Sequence, residues 1–115
     1  RHAVWPSARL KALRRGLDRL DEAVRRAPDD VDVRYLRLTS TYYLPALFGR
    51  AESVRSDFNA LADLLPDVRP DAGGAYPSGW YLPVADFVLR NAPLSADARD
   101  RLRQARAQVA TTSRG

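Results

Sequence analysis

The chain has 115 residues, enough for one domain to bury a core without a metal or disulfide staple. It contains no cysteine, which excludes a disulfide framework and a thiolate metal site and leaves the cellular compartment open. A net charge of +5 from 19 basic and 14 acidic residues attracts polyanions in principle, yet the two signs are interleaved along the chain.

Nothing in the sequence approaches the roughly 18 apolar residues of a membrane span, and the first residues lack the apolar segment of a secretory signal, so a soluble chain is expected. The chain opens at Arg1 and has no methionine, so its N-terminus reads as processed or cut. Lys11 is the only lysine among the basic residues, a bias that points to a GC-rich genome rather than to selection for phosphate binding. Asp21 with Arg25, Glu22 with Arg26 and Asp97 with Arg101 stand acid-first at i,i+4, the order that supports exposed helix faces.

Trp5-Pro6-Ser7 opens the first expected helix, with Ser7 as its cap. Leu10, Leu13, Leu17, Leu20, Val24 and Ala27 follow in steps of three and four and share one face, and Pro28 ends the run. Gly16 costs about 1 kcal/mol in a helix interior and is read as a packing glycine, offset by a close neighbouring helix. Asp29 and Asp30 supply caps for a second helix running to about Leu44, apolar along two lines: Val33, Leu36 and Tyr43 on one, and Val31, Tyr35, Leu38 and Tyr42 on the other. A helix apolar on two sides is expected between two neighbours.

Pro45 turns the segment 44–50 into a corner, with Gly49 available for a left-handed conformation. A third helix is expected from about Ala51 to Leu65, with Val54, Phe58, Leu61 and Leu65 inward and Pro66 as its stop. Residues 66–79 hold most of the remaining prolines and glycines and read as a flexible loop. A fourth helix starts near Leu82-Pro83 and carries Val84, Phe87, Val88 and Leu89 as far as Asn91. Ser95 caps a fifth, whose stripe is Ala98, Leu102, Ala105 and Val109, with a frayed tail expected from Thr111.

One spacing recurs: Gly16, Leu20, Ala23 and Pro28 set a small, large, small, proline pattern that Val54, Phe58, Leu61 and Pro66 repeat, and Ala98, Leu102 and Ala105 repeat without the proline. This pattern is similar to the second helix of a tetratricopeptide repeat, a unit of about 34 residues. More of the chain resembles a family of small uncharacterised bacterial proteins with tetratricopeptide-like helices. The resemblance is carried by Leu17-Asp18, by Asp21-Glu22-Ala23-Val24, by Ala27-Pro28-Asp29-Asp30, by Arg34, Leu36 and Arg37, and by Leu44-Pro45 with Phe48-Gly49-Arg50. Arg34 departs from the repeat, standing near where its consensus has tryptophan. The resemblance implies an all-α fold of about five helices, antiparallel pairs stacked as a short array in one domain over 1–115, with one further helix upstream of the first.

Such an array implies an interaction or assembly scaffold for another protein or peptide segment, or for a second copy of itself. Arginine-driven binding of nucleic acid or another anionic surface is the alternative. The residues expected to meet a partner are Arg34 and Arg37 as an anion clamp, together with Tyr42, Arg50, Trp80 and Tyr81; Trp80-Tyr81 reads equally as an exposed aromatic anchor or as the pair that docks the preceding loop onto the core. Arginines and tyrosines on the inner surface suit an acidic or carboxylate-bearing segment. The competing reading of Arg34 and Arg37 pairs them with acids on neighbouring helices, and that of Tyr35, Tyr42 and Tyr43 places them in the core. The corner 44–50 reads as structural. No catalysis, cofactor or metal is expected: His2 is the single histidine, at a chain end, and no spacing singles out a carboxylate pair among twelve aspartates and two glutamates.

Overall fold

The computed structural model describes residues 7–70 and 76–114. Within them the chain forms five α-helices and two 3-10 turns and no strand. The helices are α1 (Ser7–Arg26), α2 (Val31–Thr41), α3 (Ala51–Leu64), α4 (Ser78–Asn91) and α5 (Ala96–Arg114). The readings placed on His2, on Trp5-Pro6 and on the middle of the loop, residues 71–75, lie outside the described residues.

The α1–α2 and α4–α5 connections, residues 27–30 and 92–95, are short enough to fold each helix back antiparallel on the one before. Asp30 ends the first connection as the N-cap of α2, its carboxylate accepting from the Val33 N–H at 3.2 Å. The corner after α2 is a 3-10 turn over Ala46–Phe48, closed by Gly49 at φ 67°, the left-handed geometry that favours glycine. Ser95 caps α5 through its hydroxyl, which accepts from the Ala98 N–H at 3.1 Å. α2 packs on α1 and α3, and α4 packs on α5. α3 joins the pairs, touching both α4 and α5, while the 3-10 turn Leu65–Asp67 lies against α5. A globular chain of this length has a radius of gyration of about 13 Å. The value here is 16.0 Å, with extents of 53 × 31 × 29 Å, which is the geometry of a short linear array.

The core lies between the pairs. Leu38 of α2, Phe58 and Leu61 of α3, Leu65, Val84 and Val88 of α4 and Leu102 of α5 are buried together. Phe58 stacks on Phe87 with centroids 6.0 Å apart, and Tyr42 meets both rings edge-on at 5.7 and 5.3 Å. The recurring large position is therefore core-forming in α3 and α5, through Phe58 and Leu102.

Several expectations need correction. Gly16 is exposed, and a Cβ built there would meet no atom within 4 Å, so it is not a packing glycine. α2 stops at Thr41 rather than Leu44. Its two apolar lines part company: Val31 and Leu38 are buried, whereas Leu36 and Tyr43 face outward. α3 ends at Leu64, the next residues tightening into the 3-10 turn. α4 begins four residues before the expected start, at Ser78, and holds Pro83 in its interior. Pro83 is exposed and leaves one backbone carbonyl without its helical donor, a cost met by the buried Tyr81, Val84 and Val88 around it. α5 runs on through Thr111 and Thr112. At the surface Asp21 does not pair with Arg25, and Asp97 and Arg101 form no ion pair among the described residues; Glu22 takes both Arg25 and Arg26.

Candidate functional site

Two arrangements of side chains go beyond what apolar packing requires. The first is internal. Asp57, on α3 beside the core residue Phe58, is fully buried. A lone buried carboxylate is costly, and here it is met by a guanidinium fork: Arg37 donates from Nε to Oδ2 at 2.9 Å and from Nη2 to Oδ1 at 2.8 Å. Arg34 adds a third donor, Nη1 to Oδ1 at 3.1 Å, while its Nε donates to the Pro28 carbonyl at 2.8 Å and Nη1 also reaches Ser56 at 2.9 Å. The remaining arm of Arg37, Nη1, donates to Asp21 of α1 at 2.9 Å. Arg50, at the end of the corner, forks onto the same Asp21, at 2.6 Å to Oδ1 and 3.1 Å to Oδ2.

Arg37 is thus the hub that ties α1, α2 and α3 together. The hydrogen bond from Arg50 is the main cause that holds the Asp21 carboxyl below its ordinary value, against a smaller opposing effect of burial. The hydrogen bond that Arg37 donates to Asp57 is the main cause that raises the already basic Arg37 further. The work of the network is orientation of helices.

The second arrangement faces outward. Asp32, Val33, Tyr35, Leu36 and Thr39 line an open groove of about 410 Å³ on α2. Leu36 is 56% exposed, and Tyr43 and Leu47 beyond it are 77% and 84% exposed. Tyr35 meets Trp80 of α4 edge-on at 6.3 Å, and Trp80 packs on Tyr76 at 5.0 Å, so three aromatic rings form a continuous ladder beside the groove. Burial is the main cause that pushes the Tyr76 phenol up, followed by the carboxylates of Asp30 and Asp32.

The residues expected to meet a partner divide between these arrangements. Arg34, Arg37 and Arg50 belong to the internal network, and their guanidinium groups are directed to Asp57 and Asp21 rather than to a surface groove. Tyr42 is half-buried, its ring in the aromatic core and its hydroxyl donating to Asn91 Oδ1 at 3.3 Å. Trp80 stands in the aromatic ladder and is half-buried. Tyr81 is no exposed anchor: it is fully buried in the core, its hydroxyl donating to the Leu65 carbonyl at 2.7 Å.

Leu36, Tyr43, Leu47 and Tyr76 were not among the expected site residues. Leu36 could have been found from helix geometry, because two residues of α-helix turn the chain about 200° and so set Leu36 opposite Leu38. Among the described residues no group of histidine, cysteine or carboxylate side chains could hold a metal ion, and no helix is long and apolar enough to cross a membrane. No family model, curated protein or solved structure matches the chain.

Proposed function

We propose that this chain is an interaction scaffold, a tetratricopeptide-like array that binds a protein or peptide segment along α2 and does not catalyse. In this reading α2 and α4 are the first helices of two pairs, α3 and α5 the second, and α1 packs on α2. The observation that carries it is Leu36, 56% exposed in an open groove on α2, with Tyr43 and Leu47 77% and 84% exposed in the segment that follows. Large apolar side chains grouped at a surface and rimmed by polar residues are the usual mark of an interaction site.

The test is affinity capture from lysate with the wild-type chain and with the double variant Leu36→Ser, Tyr43→Ser, each with and without nuclease. Loss of a nuclease-resistant protein partner in the variant, with the melting temperature unchanged, is the expected outcome. Equal retention by both chains removes α2 as the binding face.

A second reading has an observation of its own. Lys11, Arg15 and Arg19 are spaced at i, i+4 and i+8 along α1, all exposed and without an acidic partner among the described residues. Such a single-signed line suits an anionic polymer or surface. Loss of all captured material on nuclease treatment, with affinity falling steeply as salt rises, would favour it over the scaffold.

A further inference from the structure

We propose that the α2 groove receives a basic peptide segment, seating an arginine or lysine side chain between the Asp32 carboxylate and the Tyr35 ring, which Trp80 meets edge-on. The proposal rests on the scaffold reading and names the chemistry of the partner. It reverses the acidic ligand that the arginine content of α2 suggests.

The local charge has the sign opposite to that of the whole chain. Asp29, Asp30 and Asp32 stand at the start of α2 with no basic residue between them. Asp30 is partly engaged as the cap, accepting from the Val33 N–H at 3.2 Å, but Asp32 is exposed and makes no ion pair among the described residues. The cations that could neutralise it from the same helix are turned away: Arg34 reaches Ser56 and Asp57, and Arg37 reaches Asp57 and Asp21. The field of Asp30 and Asp32 also reaches across to Tyr76, whose phenol they help to hold protonated.

The groove therefore combines a carboxylate with no ion pair among the described residues and the Tyr35 ring, whose face attracts cations through its quadrupole. Leu36 supplies an apolar surface on which the methylene stem of arginine or lysine can lie while its charged head reaches the acid. An acidic segment would meet Asp32 with like charge, and the guanidinium groups that could have received it are already forked onto buried or half-buried carboxylates.

The experiment uses tryptophan emission. The chain has two tryptophans, so Trp5→Phe leaves Trp80 as the single reporter. Three capped peptides of equal length and leucine content are titrated, differing only in whether two central positions are arginine, glutamine or glutamate. The arginine peptide is expected to shift Trp80 emission and to bind about tenfold more tightly than the glutamate peptide, with the preference shrinking as salt rises. Asp32→Lys, an exposed change, is expected to weaken the arginine peptide about fivefold or more, with a small fall in melting temperature because an acid is lost from the first turn of α2.

Equal affinity for all three peptides, a preference for glutamate, no response to any of them, or indifference to Asp32→Lys would each overturn the proposal. Leu36→Ser separates this failure from that of the scaffold reading. If it weakens all three peptides alike, the surface binds chain segments without charge preference. If it changes none, α2 is not the binding face.

Discussion

At the scale of single residues, the most consequential side chain is Asp57. Its carboxylate is fully buried and takes donors from both Arg37 and Arg34. Replacing a buried ion pair whole by apolar groups is often neutral, but removing one partner strands the other charge. Asp57→Ala should therefore lower unfolding stability by about 3–5 kcal/mol in chemical denaturation. A loss under about 1 kcal/mol would show that water reaches Arg37 and takes over the role of the carboxylate.

Tyr81 gives the second residue-scale prediction. Burial pushes its phenol up to about 12, so the neutral form is held in the fold. An unfolded tyrosine loses its proton near pH 10, so the contribution of Tyr81 is fully present below that pH and is lost as pH rises toward 12. Tyr81→Phe should make unfolding stability fall less steeply over that alkaline window, at the cost of the hydrogen bond to Leu65. A slope identical to that of the wild-type chain would mean that Tyr81 titrates freely.

Among the elements, α1 and α4 show how a local rule and a tertiary contact compete. Gly16 carries the helix penalty of glycine with no packing return, because the space around a Cβ there is empty. Gly16→Ala should raise stability by about 0.5–1 kcal/mol, read as a higher denaturation midpoint. A decrease would reveal a neighbour that approaches α1 closely at this position. In α4 the balance falls the other way: Pro83 argues for a helix starting at its own position, yet the helix begins at Ser78. Burial of Tyr81 and Val84 on either side of Pro83 outweighs the lost backbone hydrogen bond, so propensity at one residue does not set the boundary.

For the whole molecule, the array has a tight centre and a looser end. Phe58 sits in the cluster that joins α2, α3 and α4, while Leu20, at the equivalent position of the repeating pattern, is only half-buried on α1. Phe58→Ala should cost about 3–5 kcal/mol, and Leu20→Ala clearly less, since a side chain that keeps water contact loses less on truncation. Equal losses at the two positions, measured by parallel denaturation, would mean that α1 is as fully packed as α3. Gradation of this kind is expected of a linear array in which an end helix has fewer neighbours.

Periodicity and punctuation in the sequence were sufficient for the all-α class, for five helices in order and for the caps at Asp30, Gly49 and Ser95. Each depends on residues close together in the chain, where spacing alone decides which face is apolar and where backbone groups need partners. The core positions Leu38, Phe58, Leu61 and Leu102 were legible for the same reason. Which charges would meet was decided only by tertiary structure. Arg37 and Asp57 are 20 residues apart, and Asp21 and Arg50 are 29 apart, so no local spacing announces either pair. Packing α2 between α1 and α3 directs Arg34, Arg37 and Arg50 to internal acids and leaves Leu36, Tyr43 and Asp32 at the surface. The sign and chemistry of the outer groove thus follow from how the helices dock, because side chains used to join neighbours no longer face a partner.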